Sequence, residues 1–228
     1  MKKLFKYFTK AEWILWISSL TVITISFIFS PIKDYLSFLS SLIGVTSLIF
    51  AAKGNPISQV LIIVFSFMYG IISFGFAYYG EVITYVFMTG PMAVYALISW
   101  LKNPYKGNRA EVKVNKIGNK ETALMFIGAT LITTLFYFIL KVFGTTNLLI
   151  STLSVTTSFL AVYLTARRSP YYALAYAAND IVLIVLWTLA SIKNPEYIST
   201  LACFAVFFAN DIYGFVSWKR MAKRQSEK

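Results

Sequence analysis

The chain has 228 residues, 58% of them hydrophobic and only 13% charged, with a formal net charge of +12. A soluble domain carries about a quarter charged residues, so this much apolar surface belongs in a bilayer. The absence of histidine excludes histidine-based catalysis and histidine–metal ligation. A single cysteine, Cys203, excludes a disulfide framework and a multi-cysteine metal site.

A membrane span needs roughly 20 mostly apolar residues. Eight are predicted in chain order, at about 11–30, 35–52, 57–79, 82–101, 122–143, 147–166, 171–192 and 197–218. Turn chemistry or charge marks the breaks: Pro31 with Lys33 and Asp34, Lys53-Gly54-Asn55-Pro56, Gly80-Glu81, the segment 102–121, Gly144, Arg167-Arg168-Ser169-Pro170 and Lys193-Asn194-Pro195. The first run is as long as a full span and lacks a small-residue cleavage site, so it reads as a span and not as a signal peptide. The expected fold class is an all-α membrane protein with eight transmembrane helices.

Lys and Arg set the orientation. With eight spans, all of the 21 basic residues except Lys33, Lys141 and Lys193 fall on the side that holds both termini. Basic residues collect in the cytoplasm, so both termini are expected there. Nucleic-acid binding is the other reading of a basic chain. It is set aside because the charges sit where topology needs them.

The fourth and eighth spans end alike, as Tyr95-x-x-x-Ser99-Trp100 and Tyr213-x-x-x-Ser217-Trp218, each followed by a cation. Val45-Thr46 and Pro56 are echoed by Val155-Thr156 and Pro170. Spans two to four thus resemble spans six to eight. Three spans, a linker span and three more give two copies of the same orientation, a parallel repeat of the kind that builds transporters. The expected units are a basic tail and extra N-terminal span (1–34), a first repeat (35–101), a basic loop with linker span (102–146), a second repeat (147–220) and a basic tail (221–228). Trp100 and Trp218 themselves read as interfacial anchors beside their cations.

Asn-Asp occurs twice at depth, as Asn179-Asp180 and Asn210-Asp211, each ahead of aromatic residues, Trp187 and Tyr213. An acid at the bilayer centre costs about 2.5–3.5 kcal/mol on insertion scales. A helix–helix hydrogen bond returns about 0.6 kcal/mol on average. The imbalance favours a substrate or ion pathway over interhelical glue. An acid with aromatic faces suits a flat cationic ring. Gln59, Ser66, Tyr69, Ser73, Thr84 and Tyr85 are further polar candidates near the first repeat. No Lys or Arg lies at mid-membrane, so a phosphorylated substrate lacks a counter-ion, and no GxxxxGK[ST] loop is present to bind ATP.

Three stretches carry a resemblance: 54–103 from Gly54-Asn55-Pro56 to Ser99-Trp100, NDIVLIVLW at 179–187, and 195–220, in which Asn210, Tyr213, Gly214 and Trp218 form Asn-x-x-Tyr-Gly followed by Trp before a basic tail. Together they resemble the PnuC family of bacterial vitamin transporters, and Pro91-Met92 with Gly80-Glu81-Val82 resemble its Gram-positive branch. The resemblance implies a three-plus-one-plus-three, SWEET-like bundle with an extra N-terminal helix. It also implies facilitated diffusion of unphosphorylated nicotinamide riboside across the bacterial inner membrane, and trapping by a cytoplasmic kinase. No cofactor is expected, and self-association stays open.

Under that resemblance Asp180 would balance the positive ring, and Trp187 and Tyr213 would stack on it. Asn179, Asn210 and Thr200 would bond the ribose or carboxamide, with Tyr197, Gln59, Tyr69 and Thr84 completing the binding set. Few glutamines lie in the spans, which bears on ribose recognition. Thiamine, also a cationic ring, remains open, as do a SWEET-type sugar carrier and a membrane enzyme using Asp180 and Asp211 as an acid pair.

Overall fold

The computed structural model describes residues 7–31, 33–75, 79–194 and 197–227. Among the described residues eight helices are long and apolar enough to cross a membrane: α1 (Lys10–Phe29), α2 (Tyr35–Ala52), α3 (Ile57–Phe74), α4 (Gly80–Lys102), α5 (Asn119–Val142), α6 (Leu148–Ala166), α7 (Tyr172–Lys193) and α8 (Ile198–Ser226). Their outward faces carry large apolar side chains such as Ile14, Phe67, Phe87, Leu131 and Ile192. Bilayer tails replace water around such faces.

The helix ends follow local chemistry. Thr9 and Glu12 form a reciprocal capping box at the start of α1. Asp34 caps α2 by accepting from the Leu36 and Ser37 amides at 3.0 and 3.1 Å. After α2, Gly54 N–H donates to Ala51 O and Asn55 N–H to Phe50 O. After α6, Arg168 N–H donates to Thr165 O and Ser169 N–H to Leu164 O. Both ends are Schellman motifs, with Gly54 (φ 66°) and Arg168 (φ 57°) in the left-handed region.

This places Pro56 opposite Pro170 in register. Under the same register Val45-Thr46 matches Phe159-Leu160, and Val155-Thr156 lies one helical turn away. The echo expected between those two dipeptides is therefore absent.

The break assigned to Gly80-Glu81 is helical instead. Gly80 is there for packing: a Cβ on it would sit 2.8 Å from Leu140 Cδ2 of α5. Within α4 the backbone is π-helical over Ile83–Thr89. Pro91 has no N–H to offer the Phe87 carbonyl, and Gly90 N–H reaches back to Tyr85 O. The widened turn presses on α3 at Gly70, where a Cβ would meet Val86 Cγ2 at 2.3 Å.

Each middle helix packs between its neighbours, α3 between α2 and α4, and α7 between α6 and α8. In addition α2 packs on α8 and α6 on α4. The outer helices follow suit, α1 on α2 and α8, and α5 on α6.

The segment 102–118 is more than a basic loop. A two-residue turn, Lys106 (φ 47°) and Gly107 (φ 78°), joins strands β1 (Pro104–Tyr105) and β2 (Asn108–Val112). The chain then crosses the basic end of the bundle as a strap. Val112 N–H donates to Gly54 O, Lys113 N–H to Asn103 O and Asn115 N–H to Arg168 O. The Gln225 side chain accepts from Val114 N–H and donates to Glu111 and Val112 O. Arg224 pairs with Glu111. These contacts keep α8 helical to Ser226, well beyond the span expected to end near 218.

Candidate functional site

The core has two parts. One, at the basic end, gathers around Trp100, Trp218, Tyr172, Val112 and Met221. The other gathers around Phe65, Tyr69, Tyr85, Trp187, Tyr197, Phe204 and Phe207.

Trp100 and Trp218 are not interfacial anchors. Both are fully buried, their rings 5.4 Å apart. Trp100 Nε1 donates to Thr165 O at 2.9 Å, and Ser99 Oγ to Ala166 O at 2.9 Å. Trp218 Nε1 donates to Ala51 O at 2.7 Å, and Ser217 Oγ to Ala52 O at 2.7 Å. Ser99 and Trp100 of α4 thus cover the last carbonyls of α6, and Ser217 and Trp218 of α8 those of α2. The Schellman turns already give Ala51 O and Thr165 O one backbone donor each, and the indoles supply a second.

An inner cavity lies toward the other end, beside the aromatic core. Phe65, Tyr69 and Ser73, four residues apart on α3, share one face of it. α2 contributes Phe38, Ser40 and Ser41, α7 contributes Trp187, and α8 contributes Thr200, Cys203 and Phe204, with Tyr197 just ahead of it. Phe65 and Tyr69 are stacked at 5.5 Å, and Tyr69 meets Phe204 edge-on at 6.1 Å. The Trp187 indole lies near the Tyr69 hydroxyl. Among the described residues the buried Ser40 and Ser73 hydroxyls have no hydrogen-bond partner, so both have bonding capacity to offer a guest. Asp34 stands at the edge, and the lining contains no Lys or Arg.

A second, outer cavity shares Trp187 and Tyr197 with the first. These two rings, 5.4 Å apart, form the common wall. Polar groups from the α5–α6 connection line it, Thr145, Thr146 and Asn147, together with Ser151, Lys193 and Glu81.

The sequence-expected residues divide. Tyr69, Trp187, Tyr197 and Thr200 line the inner cavity. Asn179, Asp180, Asn210, Tyr213, Gln59 and Thr84 line neither cavity. Asn179 Oδ1 accepts from Thr157 Oγ1 at 2.8 Å and Ser158 Oγ at 3.1 Å, binding α7 to α6. Asn210 Nδ2 donates to Ser19 Oγ at 2.9 Å, binding α8 to α1. Both amides thus bond across helices, while Asn210 Oδ1 is buried with no partner among the described residues.

The Asp180 and Asp211 carboxyls meet side by side, within reach of a shared proton. That is the reach an acid-pair enzyme needs, but neither carboxyl faces either cavity. Tyr213 lies beside Thr9 and Glu12 at the basic end. Gln59 Nε2 donates to its neighbour Ser58 at 3.3 Å. Thr84 is buried in the π-helical turn. Sequence reasoning missed Ser40, Cys203, Phe204 and Glu81. Glu81 alone carried a signal, an acid at the edge of an apolar run.

A family model described as nicotinamide mononucleotide transporter matches residues 34–220, from the cap of α2 to the basic end of α8. The chain belongs to that family. Among PnuC relatives, the nicotinamide riboside transporter PnuC of Neisseria mucosa is 24% identical over 230 residues, covering 99% of this chain and 87% of that protein. A crystal structure of the vitamin B3 transporter PnuC superposes with a TM-score of 0.84 at 22% identity, covering 96% of this chain and 94% of that one. The PnuC fold therefore extends over both cavities. The chain is a PnuC-family transporter and a multi-pass membrane protein, with α1 outside the segment that the family model matches.

Proposed function

We propose that the protein carries unphosphorylated nicotinamide riboside across a bacterial cell membrane by facilitated diffusion, with the basic end in the cytoplasm and a cytoplasmic kinase trapping the product. The inner cavity carries the proposal: it is walled by aromatic rings, offers two unpartnered serine hydroxyls and has no basic lining residue. Aromatic faces attract a positive pyridinium, and hydroxyls suit its carboxamide. The named relative transports the riboside.

The basic end is closed by the Trp100–Trp218 layer and by the strap across it. Release to the cytoplasm needs both to part, as the two units rock against each other around the cavity. The decisive experiment is uptake of labelled riboside into proteoliposomes with no ion gradient and no ATP. Flux above empty vesicles is expected for the riboside and none for the mononucleotide. Absence of riboside flux overturns the proposal. Thiamine is also a charged ring, so a thermal-shift comparison of both ligands assigns the vitamin, since binding to the folded state raises its apparent stability.

A further inference from the structure

Cavity size raises a question that the ring alone does not answer. The inner cavity measures about 120 Å³. An engineered apolar cavity of about 150 Å³ takes one benzene. The inner space therefore suits a single flat ring and leaves no room for an attached sugar. The outer cavity measures about 380 Å³ and meets the inner one at Trp187 and Tyr197.

Its chemistry is also different. Glu81 is 5% exposed, and among the described residues its Oε2 has no hydrogen-bond partner. Ser154 of α6 lies beside it. Among the described residues no cation lies within ion-pair distance of Glu81, although Lys193 lines the same cavity. A buried carboxyl with an unmet acceptor in the wall of a polar cavity is costly unless something bonds it. Threonine, asparagine and serine around it are hydroxyl-bonding groups. Paired hydroxyls of a furanose are what a lone carboxylate accepts well, the geometry used by the acid that holds the ribose in dinucleotide folds.

We propose that the outer cavity is a sugar subsite in which Glu81 accepts the ribose hydroxyls while the ring occupies the inner cavity. This rests on the transport reading above. It assigns ribose recognition to a glutamate at the end of α4 instead of to amide side chains at mid-membrane.

The test is binding to purified protein of two ligands with the same cationic ring, nicotinamide riboside and N-methylnicotinamide, which has no sugar. The wild type is expected to bind the riboside more tightly. Glu81→Gln is expected to weaken the riboside at least about tenfold, the loss typical of a hydrogen bond to a charged group. It should leave N-methylnicotinamide unchanged. Equal weakening of both ligands makes Glu81 a partner of the ring and overturns the proposal, as does no weakening of either. If Glu81→Gln does not fold, the wild-type comparison still decides: equal affinity for the two ligands means the sugar is not read, and the proposal falls. If the wild type binds neither ligand, the transport reading itself fails.

Discussion

Asp180→Asn is expected to leave the protein folded and riboside binding within about threefold of wild type. The new amide can donate to Asp211 where the two carboxyls now meet, and the side chain faces neither cavity. Asp180→Leu removes the partner and leaves Asp211 buried alone, a loss of about 1–3 kcal/mol. In a thermal melt that corresponds to roughly 2–4 °C per kcal/mol for a chain of this size. A loss of binding in Asp180→Asn without a loss of stability would show that the acid touches the guest. The same residues mark the limit of the sequence. The cost of burying an acid correctly says that it needs a partner. It does not say whether that partner is a substrate or a second acid on the next helix, because side-chain direction depends on helix rotation, which the chain alone leaves open.

Three helical glycines behave differently for reasons visible only in the packing. At Gly70 and Gly44 a Cβ would lie 2.3 Å from Val86 Cγ2 and 2.5 Å from Phe207 Cζ, so Gly70→Ala and Gly44→Ala are each expected to lower stability by about 1–3 kcal/mol through overpacking. At Gly214, inside the Asn-x-x-Tyr-Gly motif, the nearest atom would be 3.5 Å away. Gly214→Ala is therefore expected to be neutral or to stabilise, since alanine favours a helix over glycine by about 0.8–1.0 kcal/mol. Thermal unfolding of the three variants in detergent checks the order. Elements themselves were legible: hydropathy and the turn residues Asn55-Pro56 and Ser169-Pro170 place the helices to within a few residues. What spacing could not convey is the π-helical turn, whose cause is one missing N–H at Pro91, or the inward rotation of Trp100 and Trp218. A tryptophan beside a cation reads the same whether it faces headgroups or caps another helix. Likewise the aromatic positions Tyr69, Trp187 and Tyr197 were readable as candidates, whereas Glu81 was hidden by the glycine before it, which suggested a turn.

At the scale of the molecule, the strap joins parts distant in the chain: the ends of α2, α4 and α6 and the tail of α8. Gln225→Ala removes the acceptor of Val114 N–H and the donor to Glu111 and Val112 O. Each bond contributes about 0.5–1.5 kcal/mol, so local opening should rise at least roughly two- to tenfold. Hydrogen exchange at Val112, Val114 and Asn115 is expected to quicken by that factor while α3 is unaffected. Unchanged exchange would mean that the tail merely rests on the strap. If parting of the basic end limits transport, the same variant should also raise uptake in proteoliposomes.

Cys203, the one thiol in the chain, lines the inner cavity. A sulfur-directed reagent small enough to enter that cavity would therefore attach at one position only, with no cysteine-free background to engineer first.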